Sequence, residues 1–139
     1  MARVIHLGQQ VWRNYHQTAA CNLKSRIELA NQDQPNGRAY LKAVADTVQA
    51  LLQEAKQYDI PVRPVGAGWS PAPINVVEDG WLVETMRLNR TFKIGPNNLH
   101  DDCDVAADAL LLVQAGATVD EVYESAEELG RSLRTGGAS

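Results

Sequence analysis

In Ile60-Pro61-Val62-Arg63-Pro64-Val65-Gly66-Ala67-Gly68-Trp69-Ser70, a short β-branched segment gives way to two glycines one residue apart. Pro61 and Pro64 lack the N–H that a central strand would donate, so the segment reads as a strand with donor-poor positions at an edge or at its ends. Gly66 and Gly68 let the backbone come close to a ligand. Successive N–H groups in such a turn form a concave site for an anion, usually phosphate, and the Ser70 hydroxyl adds a donor. Pro71 and Pro73 exclude a helix directly after the loop, which removes a Rossmann fingerprint, and the absence of a Lys removes a Walker A loop. Strand, glycine loop and extended chain remain. The residues alone support either an anion cradle or a tight turn with Trp69 packed into a core.

On the N-terminal side, Leu41, Val44, Ala45, Val48, Leu51, Leu52 and Ala55 recur at helical spacing and predict an amphipathic helix ending near Tyr58-Asp59. Gln34-Pro35-Asn36-Gly37 is the turn before it. Residues 1–38 read as an irregular N-terminal segment anchored by Trp12, Tyr15 and Leu23, and 39–139 as the N-terminal part of a binding domain. On the C-terminal side, Trp81-Leu82-Val83-Glu84 predicts a strand after the Asp79-Gly80 turn, and Phe92-Lys93-Ile94 a short one. Pro96 to Asp104 reads as a polar loop. The apolar run Ala109 to Ala115 predicts a strand covered on both faces. Thr118-Val119-Asp120-Glu121 matches a capping box opening a second helix, with Gly130 as its left-handed terminator. Arg131 to Arg134 predicts a last strand. The expected fold is α+β, two helices packed on small mixed β-sheets.

The chain has 139 residues and a formal charge of −4, from 13 Lys+Arg against 17 Asp+Glu. That balance disfavours a nucleic-acid partner. No apolar run approaches the ~20 residues of a membrane span, and the N-terminus lacks a secretory apolar stretch. Cys21 and Cys103 do not make a disulfide scaffold, so a cytoplasmic location is the expectation. His100-Asp101-Asp102-Cys103-Asp104 has metal-ligand residue types without zinc or EF-hand spacing, and reads as a solvated acidic loop. No metal site and no catalytic residue are assigned.

Four segments in register resemble the FAD-linked oxidases of the vanillyl-alcohol-oxidase and p-cresol-methylhydroxylase type. Arg63 to Ser70 is similar to that family's R-x-x-G-x-G-H-S segment. Asp79-Gly80-Trp81-Leu82-Val83 with Leu88-Asn89 resembles its next strand and Leu-Asn pair. Val113-Gln114-Ala115-Gly116-Ala117-Thr118 resembles its V-x-A-G-A-T. Trp12-Arg13-Asn14-Tyr15 resembles the W-x-N-W of the aldonolactone and alditol oxidase branch.

The resemblance implies the first half of a PCMH-type FAD-binding domain. FAD pyrophosphate would lie on Gly66, Ala67, Gly68, Trp69 and Ser70, with Val65 leading in. Many members have a His at position 69 that bonds covalently to the flavin. Trp69 has no nitrogen suited to that bond, so non-covalent FAD is expected. The family continues with a second Gly/Thr/His-rich stretch and a substrate domain, and Thr135-Gly136-Gly137-Ala138-Ser139 resembles the approach to them. The expectation is therefore part of a larger flavoenzyme: a truncation, a product of an interrupted gene, or one chain of a split enzyme with a companion chain. The implied reaction is oxidation of a carbinol or lactone-type substrate. The alternative is a non-catalytic or partner-binding remnant that does not hold FAD alone.

Overall fold

The structure, a computed structural model, describes residues 2–32 and 37–133. The chain divides into two compact units, residues 1–88 and 89–139.

The first unit is built on a four-stranded mixed sheet. Its strands are β1 (Arg3–His6), β4 (Ser25–Ala30), β6 (Trp81–Arg87) and β5 (Val62–Val65), in the order β1-β4-β6-β5. β4, β6 and β5 run parallel, and β1 is antiparallel to β4. β5 lies at the sheet edge, where the missing N–H groups of Pro61 and Pro64 cost least. A separate hairpin pairs β2 (Gln10–Arg13) with β3 (Ala20–Leu23). Residues 1–38, expected to be irregular, thus carry four strands. They are four to six residues long, and polar residues such as His6, Gln10 and Arg13 break their alternation, so periodicity was too weak to show them.

Helix α1 (Arg38–Gln57) follows Gly37, whose φ of 145° no L side chain adopts readily. Of the predicted turn before it, Gln34 to Asn36 lie outside the described residues. The helix buries Tyr40, Val44, Leu51 and Ala55. Ala45 and Leu52, expected on the same face, are exposed, because the apolar positions form two adjoining stripes and only one meets the fold.

The hairpin and the sheet share a core of Cys21, Leu23, Val65, Val77 and Leu82, with Trp12 and Val76 packed against it. Gly80 turns the chain into β6. A Cβ there would lie 2.2 Å from Val77 Cγ2 and 2.5 Å from the Pro61 carbonyl oxygen, so only glycine fits.

In the second unit, β7 (Thr91–Lys93) pairs antiparallel with β8 (Leu111–Val113), and α2 (Val119–Glu127) follows. The capping box at Thr118 is formed: its hydroxyl accepts the Glu121 N–H at 3.2 Å, and Glu121 accepts the Thr118 N–H at 2.7 Å. Gly130 takes the left-handed φ of 65° expected of it. Two expectations fail here. The run 109–115 is not a strand covered on both faces: β8 spans three residues, and Leu112 and Val113 are 42% and 37% exposed. Apolar content marked the strand correctly but does not reveal what covers it. Arg131 to Leu133 form no strand, and Arg134 lies outside the described residues. The acidic loop at 100–104 is exposed throughout, as expected. No helix among the described residues is long and apolar enough to cross a membrane.

Candidate functional site

The glycine loop leaves the carboxyl end of β5, the end of a parallel sheet at which ligands characteristically bind. Val65 ends the strand as a core residue, 3% exposed, so it anchors the loop from below. Gly66, Ala67 and Trp69 are exposed; Gly68 and Ser70 are half-buried. Gly68 has a φ of 72°, which turns the chain where a Cβ would be strained. A Cβ at Gly66 would meet nothing within 4 Å.

Neighbouring segments hold this loop, and the strand end that leads into it, by their carbonyl groups. The Tyr15 N–H donates to the Gly68 carbonyl at 3.0 Å. Asn14 Nδ2 donates to the Ser70 carbonyl at 2.8 Å, and Thr18 Oγ1 donates to the Pro71 carbonyl at 2.8 Å. Asn75 Nδ2 donates to the Pro64 carbonyl at 2.8 Å, and Thr85 Oγ1 to that of Val65 at 3.4 Å. With carbonyls as the tethered groups, the N–H groups of residues 66–70 donate to no protein acceptor among the described residues. Exposed N–H groups without internal partners are what an anion cradle requires.

The tether depends on Asn14, which is only 3% exposed. Its N–H donates to the Ala19 carbonyl, its Oδ1 accepts the Ala19 N–H at 3.1 Å, and its Nδ2 reaches both Thr18 Oγ1 and Ser70. A buried amide is tolerated because its donors and acceptor are used. The turn of the β2–β3 hairpin is thereby fastened to the glycine loop. Residues 12–15 carried a family resemblance in the sequence, but nothing in one chain's spacing shows that they clasp a loop more than fifty positions away.

Trp69 is not packed into a core. Its indole stacks on the Tyr15 ring, centroids 4.2 Å apart and planes 15° apart. His16 stands edge-on to both rings, with centroids 5.3 Å from Tyr15 and 6.2 Å from Trp69.

Comparison with known proteins bears on the family and the fold. The profile of a family described as FAD binding domain matches residues 41–139. Comparison with curated proteins gave no match. Among solved structures, cholesterol oxidase from B. sterolicum superposes with a TM-score of 0.50 at 18% identity, over 91% of this chain and 20% of that one. A solvent-stable cholesterol oxidase superposes with a TM-score of 0.53 at 18% identity, over 93% of this chain and 20% of that one. The chain thus spans about a fifth of the length of these structures, and at this identity the likeness is one of fold. The α+β expectation and the resemblance to FAD-linked oxidases are borne out, and the chain belongs to the FAD binding domain family.

Proposed function

We propose that this chain is the pyrophosphate-binding portion of a flavin-dependent oxidoreductase, and that Gly66, Ala67, Gly68, Trp69 and Ser70 hold FAD without a covalent bond. Val65 leads the chain into the cradle from the core. The observation that carries this is the loop whose Gly68 and Ser70 carbonyls are tethered by Tyr15 and Asn14 while the N–H groups of residues 66–70 face no protein acceptor among the described residues.

The residues fit the group. Gly66 leaves open space where any other residue would place a Cβ, and Gly68 supplies the left-handed turn. The net charge is −4, and what the loop itself offers two phosphates is its backbone dipoles. When bound, FAD supplies a ring that accepts a hydride from a substrate C–H bond. The chain's part is to bind and orient. An indole nitrogen is a donor only and has no free lone pair for alkylation, so position 69 leaves the flavin unattached. The family's activity on a carbinol or lactone-type substrate is the reading we extend to the complete enzyme, and the fold neighbours named as cholesterol oxidases accord with the carbinol arm. We place the base and substrate pocket outside this chain, in further sequence or a companion chain. Both thiols are free, which suits the reducing cytoplasm.

The test is FAD titration of the purified chain and of Gly66→Ala. The Gly66→Ala methyl keeps the N–H but stands in the open space on the loop, where it would push a bound phosphate off a backbone donor; loss of one charge-assisted hydrogen bond, about 1.5–3 kcal/mol, corresponds to roughly a ten- to hundredfold weaker affinity. The expected result is that loss at an unchanged melting temperature, with all yellow colour released from the protein by acid. No uptake of FAD, or equal affinity in the variant, would overturn the cradle; colour that stays with the denatured protein would overturn the non-covalent assignment.

A further inference from the structure

The four-stranded sheet has two edges, and they are not alike. At β5, Pro61 and Pro64 withhold N–H groups that another strand would use. β1, at the opposite edge, contains no proline. The Leu7 N–H donates to the Arg26 carbonyl at 2.8 Å, so by the alternation of an antiparallel ladder Ile5 and Arg3 are the β1 residues turned toward β4. The N–H and C=O groups of Val4 and His6 therefore point out of the sheet, and no further strand among the described residues pairs with them. Such an edge is a template for one more strand.

The helix beside this edge matches it. Val4 and His6 form one wall of an open groove of about 530 Å³, and α1 forms the other through Ala43, Thr47, Ala50 and Glu54. The β1 wall is centred on Ile5, and the α1 wall near residue 48. Three of these four α1 positions are small, so a second helix can approach closely. Charge differs between the two ends of the wall. Lys42 stands at one end, where it pairs with Asp46 at 2.7 Å in full exposure to water, and Glu54 stands at the other. Glu54 is exposed and makes no ion pair among the described residues.

We propose that β1 pairs with β1 of a second copy of this chain, antiparallel about a two-fold axis through Ile5. Val4 then bonds to the partner's His6 and His6 to the partner's Val4, which uses every outward backbone group of these two residues. The two four-stranded sheets become one. Because the axis passes beside the middle of the α1 wall, it also sets the two α1 helices antiparallel across the seam. Ala43, Thr47 and Ala50 line that seam, and the Lys42 end of each helix lies along the Glu54 end of the other, the two residues being equally far from residue 48. A two-fold interface has to be complementary to itself, and this face is. A strand of any other chain can use the backbone groups of β1, but the meeting of Lys42 and Glu54 ends requires a second α1.

The experiment is analytical ultracentrifugation of the full chain from micromolar to millimolar concentration, with three variants. The unaltered chain should form a dimer in proportion to concentration. His6→Pro removes an outward N–H from each copy, and loss of two hydrogen bonds weakens association roughly five- to a hundredfold. Ala50→Arg sets two like charges and two long side chains into the seam and should weaken it as well. Ala50 is exposed and Arg is a good helix former, so the dilute Ala50→Arg chain should melt with the unaltered one. Ile5→Cys in a Cys103→Ser background reads the register, since Cys103 is the exposed thiol and Cys21 is buried. Directly opposed residues outside the hydrogen-bonded pairs have Cα atoms about 4.5 Å apart, within disulfide reach, so mild oxidation should give covalent dimers. A chain that stays monomeric up to millimolar concentration would overturn the proposal. So would a dimer that neither His6→Pro nor Ala50→Arg weakens, or one in which Ile5→Cys does not cross-link. A monomeric chain that instead takes up a dye-labelled Lys-Val-Lys-Val-Lys peptide, and loses it in His6→Pro, would assign the edge to a different chain and overturn the proposal equally.

Discussion

Tyr15 and Trp69 lie 54 positions apart in sequence and stack with ring centroids 4.2 Å apart, which joins the hairpin turn to the glycine loop. Aromatic pairs of this geometry contribute about 0.5–1.5 kcal/mol beyond the area they bury. Both rings are more than half exposed, so the lower part of that range applies. Tyr15→Ala is expected to cost about 0.5 kcal/mol in urea denaturation and to increase quenching of tryptophan emission by iodide. Trp12 is half-buried and Trp81 is 6% exposed, so the added quenching reports Trp69. Unchanged quenching would mean that the stack is not held in solution.

Asn14 has a larger task. Replacing it with Ala removes the acceptor of the Ala19 N–H and the donor to Ser70. Each buried polar group left without a partner costs about 1–3 kcal/mol. Asn14→Ala should therefore lower the urea midpoint clearly and weaken FAD binding, although the residue has no place in the cradle itself. Asn14→Asp keeps the acceptor but turns an oxygen toward the Ser70 carbonyl, so it should be no better tolerated. An Asn14→Ala chain with full stability would show that the hairpin does not clasp the loop.

The glycines of this chain separate by mechanism. Gly80→Ala forces a methyl into Val77 and the Pro61 carbonyl oxygen, and that oxygen accepts the Trp81 N–H at 2.8 Å. Overpacking of this kind costs about 1–3 kcal/mol. Gly68→Ala meets Trp12 only at 3.6 Å but must adopt a φ of 72°, at about 1–2 kcal/mol. Gly66→Ala meets neither obstacle and should melt with the unaltered chain. Thermal melts of the three variants check the order: Gly66→Ala the most stable, the other two distinctly lower. A strongly destabilised Gly66→Ala would remove the argument that its side of the loop is open.

The elements that show in the sequence are those whose signal is local. Helix α1 declares itself through apolar spacing, the Thr118–Glu121 capping box through two side chains three residues apart, and the edge position of β5 through two prolines. The glycine loop is legible for the same reason, since Gly68 takes a left-handed turn and Gly66 leaves its side of the loop open. What supports the loop is not local. Asn14 reaches Ser70, and Asn22 holds Glu78 through Nδ2 at 2.7 Å, across 56 residues in each case. Such pairs exist only once the hairpin has docked. Leu112 shows the converse limit: its hydrophobicity was evident, whereas its exposure depends on what packs there.

At the start of α2 the fold makes a pH prediction. Glu121 is held below the usual carboxylate range, first by the Thr118 N–H at 2.7 Å, and further by Asn89 Nδ2 at 2.8 Å and the Thr118 hydroxyl; its partial burial opposes them. A carboxylate whose pKa is lower in the folded state binds protons more readily when unfolded. Its stabilising contribution is therefore complete above the unfolded pKa and is lost as pH falls through the folded one. The second unit should lose stability as pH falls through and below the ordinary glutamate range. Glu121→Gln should be less stable than the unaltered chain at neutral pH and should flatten that dependence, since its amide does not titrate. Thr118→Ala, which removes the cap itself, should cost about 1 kcal/mol. Far-UV circular dichroism during urea titration at neutral and acid pH tests both variants. A Glu121→Gln chain that loses as much stability in acid as the unaltered one would show that the carboxylate at this helix start is not what senses pH.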